Sequence, residues 1–261
     1  MAWWLGQAGF AIRYHDELLL IDPYLSDVLA DKYRGRVFPH ARLHPSPVNP
    51  SDIRGLGLVL CTHGHTDHMD LGSIPYLQSS SDPLFIVPRS ESVKGVSRGI
   101  PASRLLGLDT GEIFASGGVT VTAVPAAHEQ ISLDEHGQNL FLGYVIDIGG
   151  VRLYHSGDCT PFDGQEELIR SLDVDVALLP VNGRDAHRMG NGVPGNFELD
   201  EAVALCRSAG VPALVCHHWG LFEFNSADPA DLRERLGEVT DLDWRVPELG
   251  VPFALERSAA A

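Results

Sequence analysis

Three imidazoles and one carboxylate fall within six residues of the stretch Thr62-His63-Gly64-His65-Thr66-Asp67-His68. Neutral imidazole and carboxylate are ligands for a divalent cation, and a set that leaves positions open suits a catalytic ion rather than a closed structural one. His63 and His65 lie two residues apart and reach one ion from an extended or tightly turned segment. Asp67 and His68 lie on the next turn and face a second ion. A solvated histidine tract would need no buried strand in front of it. Here the apolar run Leu56 to Cys61 supplies one and ends where the histidines begin.

The remaining ligands are expected at other strand ends, because rigid elements place ligands best. His128 follows the apolar run Val119 to Val124. Asp158 follows Val151 to His155, and His217 or His218 follows Ala213 to Cys216. Taken singly, each reads as a cap or a surface group. Together they complete six or seven ligands for two ions, with the Asp158 carboxylate as the natural bridge.

The elements that must position these groups change rhythm along the chain. The first half reads as short strands: Trp3 to Leu5, a hairpin of Phe10 to Tyr14 and Leu18 to Ile21 around His15-Asp16, then Leu56 to Cys61 and Leu84 to Val87. A helix is expected over residues 70 to 78, and a helical turn over Glu91 to Val96. Ile113 to Ala115, Val119 to Val124, Phe141 to Ile148 and Val151 to His155 read as an antiparallel meander, with Gly149-Gly150 as a hairpin turn. The second half alternates helix and strand: helices near Gln165 to Ser171, Glu198 to Ser208 and Pro229 to Leu236, with strands Val174 to Pro180, Ala213 to Cys216, and around Trp244 and Phe253. Strands first and then strand and helix in alternation imply an α/β (α+β) architecture of two mixed sheets packed together with helices outside. No linker or repeat divides residues 1–261, which read as a single hydrolase domain.

Charge and composition narrow the partners. The chain carries 35 acidic and 19 basic residues, a formal net charge of -16. That argues against a nucleic-acid face, which needs a basic stripe. A small anionic substrate stays compatible, because two bound divalent cations make a cleft locally positive. No signal peptide and no membrane span are legible. The four cysteines, Cys61, Cys159, Cys206 and Cys216, show no framework spacing. Reduced thiols in a cytoplasmic protein are therefore expected. Homo-oligomerisation is left open.

A histidine motif His-x-His-x-Asp-His behind a buried strand, followed by separate strand-end His, Asp and His, resembles the metallo-β-lactamase superfamily. Trp4 to Phe10, Ile21-Asp22-Pro23-Tyr24, Thr62 to Asp70, Pro125 to Glu129, Tyr154 to Asp158, Pro180 to Asp185, Gly195-Asn196 and His218 to Phe222 extend the likeness over residues 4–222. The Asn182-Gly183-Arg184 and Gly195-Asn196 segments are similar to the L-ascorbate-6-phosphate lactonase-like branch. The resemblance implies a four-layer αββα sandwich. It implies His63, His65 and His128 on one metal, Asp67, His68 and His218 on the other, and Asp158 between them. It selects His218 over His217, makes His155 a packed neighbour, and makes Asp22 the carboxylate that holds a ligand imidazole by its other nitrogen. Cys159 is expected to pack inward. Zinc is the default metal, with manganese, used by the lactonase, and iron as alternatives.

The expected chemistry is hydrolysis. Two divalent ions lower the pKa of a shared water and leave hydroxide available near neutral pH, with Asp67 and Asp158 as the carboxylates implicated in catalysis. A lactone, including a phosphorylated sugar-acid lactone such as L-ascorbate 6-phosphate, is the first substrate class. A small cyclic nucleotide or phosphoester is the second, and a non-catalytic metal-binding regulatory module is the alternative of another kind. For the substrate, Arg184, Asn182 and Asn196 are the candidate contacts. A salt bridge from Arg184 to a neighbouring acid is an equal reading. The Pro-rich loop 31–50, with Arg34, Arg36, His40, Arg42 and His44, is a candidate wall.

Overall fold

The structure is a computed structural model and describes residues 1–256. Its strands are β1 (Ala2–Gly6), β2 (Gly9–Tyr14), β3 (Glu17–Ile21), β4 (Leu56–Leu60), β5 (Leu84–Pro88), β6 (Leu105–Leu108), β7 (Ile113–Ser116), β8 (Val119–Pro125), β9 (Leu142–Ile148), β10 (Val151–His155), β11 (Val176–Pro180), β12 (Ala213–His217), β13 (Asp243–Arg245) and β14 (Pro252–Phe253). The helices are α1 (Val28–Lys32), α2 (Ile74–Ser81), α3 (Ser92–Ser97), α4 (Gln165–Ser171), α5 (Ala186–Gly190), α6 (Leu199–Ala209) and α7 (Pro229–Gly237).

Two seven-stranded sheets form, in the orders β14-β1-β2-β3-β4-β5-β6 and β13-β12-β11-β10-β9-β8-β7. In each sheet one half is antiparallel and the other parallel. From β14 to β3 neighbours run antiparallel, and from β3 to β6 they run parallel. From β7 to β10 neighbours run antiparallel, and from β10 to β13 they run parallel.

Side-chain alternation builds the layers. In β3 and β4, Leu19, Ile21, Leu58 and Leu60 join the core shared with the second sheet, whereas Leu18, Leu20 and Val59 pack on Ile74 and Leu77 of α2. A strand shows opposite faces to opposite layers, so a continuous Leu/Ile/Val run is what a strand covered on both sides requires. On the other flank, Ile169 of α4, Ala202 and Cys206 of α6, and Leu232 and Leu236 of α7 close the shared core. The result is the four-layer metallo-β-lactamase fold. Among the described residues no helix is long and apolar enough to cross a membrane.

The departures from expectation are local. Helix α2 starts at Ile74, not at residue 70, because Pro75 is tolerated only in a first turn. The Asp70 carboxylate also takes the Gly72 N–H at 2.9 Å and holds the preceding turn. Strand β6 escapes sequence reading: it is a short parallel edge strand interrupted by Gly107, whose Cβ position lies 2.9 Å from Arg89 Cα. Helices α1 and α5 have five residues each, too short to show a 3.6-residue period.

Candidate metal centre

The site lies beyond the carboxyl ends of β3, β4, β8, β10 and β12, where open mixed sheets characteristically bind ligands. The loop after β4 is a single tight helical turn, with Met69 N–H donating to His65 O at 2.9 Å. Arg98 donates to His65 O and Met69 O at 3.1 and 2.6 Å and so fastens that turn from outside. Gly64 lies under the Glu91–Lys94 ion pair, and a Cβ there would sit 2.3 Å from Glu91 Oε2. A side chain between His63 and His65 would have to displace the Glu91 and Lys94 side-chain ends.

Three overlapping groups of potential ligand atoms result, the atoms within each lying within 4.8 Å of one another: His63, His65 and His128; Asp67, His68 and His218; and His63, His68 and Asp158. The structure thus brings together all seven sequence-predicted ligand residues, with Asp158 in the group that links the other two. His217 is turned away. Its ring stacks on His155 at 4.7 Å and lies 3.2 Å by Nε2 from Leu178 O. His218 follows the strand with φ +62° and reaches Asp158 Oδ2 at 3.1 Å. Cys159 is outside these groups: its thiol accepts from Ala127 N–H at 3.4 Å and donates to Thr160 O. His155 is held between Ala8 O and Gly157 N–H, and serves to pack the strand end.

The proton positions of two rings follow from their partners. Thr62 donates its backbone N–H and its hydroxyl to the Asp22 carboxylate at 2.7 and 2.6 Å. Having spent its hydrogen there, Thr62 Oγ1 can only accept from His63 Nδ1 at 3.1 Å. His68 Nδ1 donates to Asp22 Oδ2 at 2.7 Å. In both rings Nε2 is left to face the centre, and His63 Nε2 is buried without a hydrogen-bond partner, as are both ring nitrogens of His128. Buried polar atoms are rarely left so. Unpaired imidazole nitrogens converging on carboxylates fit a pair of divalent cations.

Electrostatics agree with this fit. Burial pushes His63 and His65 below the ordinary histidine value and takes His128 down to about 4, so these rings stay neutral. Burial also opposes the charge on His68, but Asp158, Asp22 and Asp67 outweigh it and hold the ring well above its usual range. Burial likewise works against the Asp158 carboxylate, and His218 and His68 hold it well below its usual range.

A cavity of about 170 Å³ opens over the centre. Besides ligand residues its lining includes Lys32, Tyr33, His40, Arg98, Val193 and Asn225. His40 confirms part of loop 31–50 as a wall. Arg42 of the same loop is buried instead in structural bonds to Tyr24 O, Ser26 O and His44 O. The three sequence-predicted substrate contacts are placed differently from expectation. Arg184 does not line this cavity: its guanidinium forms a two-pronged pair with Glu201 at 2.6 and 2.7 Å and bonds Asn196 O. The cause is helix α6, whose first turn presents Glu201 as half of a capping box beside the loop. Asn182 and Asn196 are not lining residues either. Asn196 Nδ2 donates to Asn182 Oδ1 at 3.0 Å, and Asn182 Nδ2 donates to Asn225 Oδ1 at 2.6 Å. They form a buried amide relay that ends on the cavity wall.

Two contributors were missed as site residues. Gln7, fully buried with φ +51°, donates Nε2 to Asp67 Oδ2 at 3.2 Å, and its carbonyl takes the His218 N–H at 2.9 Å. A polar residue between two glycine-bearing turns at a strand end was the available signal. Asn225 has its Oδ1 taken by Asn182 and by Arg188 at 2.9 Å, which fixes the amide orientation and leaves Nδ2 for a ligand. Nothing in its local sequence marks it.

A family described as "Beta-lactamase superfamily domain" matches residues 18–219. A UPF0173 metal-dependent hydrolase of Methanoregula boonei is 31% identical over 188 residues, covering 71% of this chain and 76% of the relative. Another from Archaeoglobus fulgidus is 28% identical over 235 residues, covering 88% of each. Among solved structures, a metallo hydrolase from the archaeon Ignicoccus hospitalis superposes with a TM-score of 0.69 at 20% identity over 98% of both chains, a likeness of fold. The chain belongs to the metallo-β-lactamase superfamily and, within it, to the UPF0173 metal-dependent hydrolase family.

Proposed function

We propose that the protein is a metal-dependent hydrolase that opens a small anionic lactone at a two-cation centre. The observation that carries the reading is the meeting of two three-residue ligand groups at Asp158, with imidazole nitrogens buried and unpaired between them. His63, His65 and His128 would hold one cation, and Asp67, His68 and His218 the other, with Asp158 between. Zinc suits this donor set, and manganese or iron would occupy the same oxygen and nitrogen ligands. When bound, such cations supply Lewis acidity and bring the pKa of water towards neutrality.

The rest of the work falls to the chain. Asp22 and Thr62 hold the ring tautomers, and Gln7 steadies Asp67 against His218. Asn225 Nδ2 offers a donor to a carbonyl or ring oxygen as it gains charge. Phe141 packs against His63, His65 and His128 at 5.2, 5.9 and 4.9 Å and keeps one side of the centre dry. The cavity volume suits a small molecule, and Lys32 and Arg98 beside it favour an anion.

Metal analysis of the purified protein, paired with a screen of lactones and phosphodiesters, tests this. Metal-dependent lactone turnover is expected, and Asp158→Ala should lose both metal and turnover while keeping its far-ultraviolet circular dichroism. Turnover of phosphodiesters alone would replace the lactone with a phosphoester substrate. Stoichiometric metal with no turnover of either class would favour a regulatory module.

A further inference from the structure

Next to the cavity over the metal centre lies a second compartment of about 520 Å³ lined by Lys32, Tyr33, Arg36, Val37, Phe38, His40 and the loop 191–193. The two spaces share Lys32, Tyr33, His40, Gly192 and Val193 and so adjoin, one over the metal centre and one outside it. The outer part combines two properties. Its floor is aromatic: Tyr33 stacks on His40 at 4.2 Å, Phe38 stacks on Phe224 at 4.4 Å, and His40 meets Phe224 edge-on at 4.7 Å. Its lining includes two cations and no carboxylate, in a chain whose acids outnumber its bases by 35 to 19.

Those cations are also uncommitted. Among the described residues no carboxylate lies within ion-pair distance of Lys32 or Arg36, and the neighbouring acids are engaged elsewhere, Asp31 by Arg34 and Asp27 by Arg42. Lys32 lies over the Tyr33 ring, 5.0 Å from its centre. Packed rings with unpaired cations beside them suit a flat, unsaturated group that carries a negative charge.

We propose that this outer compartment is a substrate subsite for a flat ring or conjugated segment bearing an anionic substituent, held between the Tyr33–His40 stack and the Lys32 and Arg36 side chains. The proposal rests on the hydrolase reading for its orientation: the scissile group lies inward over the metal ligands and the anionic end lies outward. The leaving or retained portion of the substrate would therefore be elongated, and its charge would be read at a distance from the reacting atoms. The Pro-rich loop would then act as a specificity element.

The test uses the metal-loaded protein and two probes, 3,4-dihydrocoumarin and its 6-sulfonate, a neutral and an anionic version of one flat lactone. Binding is followed by isothermal titration calorimetry and turnover by absorbance. The wild type should bind the sulfonate about tenfold more tightly than the neutral compound, the effect of two exposed charge contacts. Lys32→Ala/Arg36→Ala should abolish the preference, and Arg36→Lys should keep part of it. A control that removes two remote cations, Arg13→Ala/Arg233→Ala, should retain the preference. Equal affinities in the wild type, or a preference that survives Lys32→Ala/Arg36→Ala, would overturn the proposal. A preference lost in that variant, with no turnover of either probe by the wild type, would support the subsite and count against the hydrolase reading.

Discussion

Asp22 Oδ2 lies 2.7 Å from His68 Nδ1, and both side chains are fully buried. Asp22 comes from the end of β3 and His68 from the loop after the adjacent parallel strand β4, so neighbouring strand ends set the ligand and its orienting acid. The same carboxylate takes the Thr62 hydroxyl, which in turn orients His63. One acid thus fixes the tautomers of one ring from each proposed cation site.

Asp22→Asn keeps the size of that side chain and removes its charge. Cation affinity is expected to fall about 10- to 100-fold, as for other groups that orient a ligand from behind. Both sites should weaken, because Thr62 relays the loss to His63. Competition against a chromophoric chelator measures it, and unchanged affinity would remove Asp22 from the centre.

Cation uptake should release a proton from His68. In the metal-free chain three carboxylates outweigh the cost of burial and keep this ring charged above the usual histidine range, whereas a ligand nitrogen must be bare. Affinity should therefore climb as pH rises towards the raised folded value of His68 and level off beyond it. The linkage to stability has the opposite sign. A raised histidine stabilises the metal-free fold fully below its unfolded pKa, and that contribution is lost as pH rises through the folded value. Calorimetric titration in buffers of different ionisation heat reads the proton directly. No dependence on buffer near pH 7 would sink the assignment.

Arg184→Ala should act on stability and not on substrate. Its pair with Glu201 is about one-third exposed on both sides, which limits its worth to about 0.5–1 kcal/mol despite two-pronged geometry. The unfolding free energy from denaturant titration should fall by that amount with KM unchanged. A raised KM at normal stability would return Arg184 to the substrate.

The residues that meet at the candidate centre were legible in the sequence because their signals are local: a dense histidine motif behind an apolar strand, and isolated His or Asp at strand ends. The sandwich was legible because strands buried on both faces need long aliphatic runs, as in Leu18 to Ile21. The substrate side was not, because orientation there depends on partners far apart in the chain. For Arg184 the sequence left substrate contact and a salt bridge equally open, and the acid that claims it, Glu201, lies seventeen residues on. Asn225 looked unremarkable and is aimed by Asn182, forty-three residues earlier. Strand β6 and the short helices α1 and α5 carry too few residues for any period to show.

The amide relay gives a sharp test of how the cavity wall is set. Asn182 receives a hydrogen bond from Asn196 on its oxygen and spends its Nδ2 on Asn225 Oδ1. Asn182→Asp keeps the first bond and turns the second into an oxygen facing an oxygen. Asn225 then gains by flipping, which points its oxygen at the cavity and removes the donor. Arg188, which donates to that oxygen at 2.9 Å, opposes the flip and is left facing an NH2 group once it occurs. Losing one hydrogen-bond donor to a developing oxyanion costs on the order of 10²- to 10³-fold in turnover. Asn182→Asp and Asn225→Asp should therefore both lower kcat with cation content unchanged, and Asn225→Gln should not restore it, because its longer chain leaves the relay. Full turnover in Asn182→Asp, with the Asn225 side-chain amide resonances unmoved, would show that the wall is set without the relay.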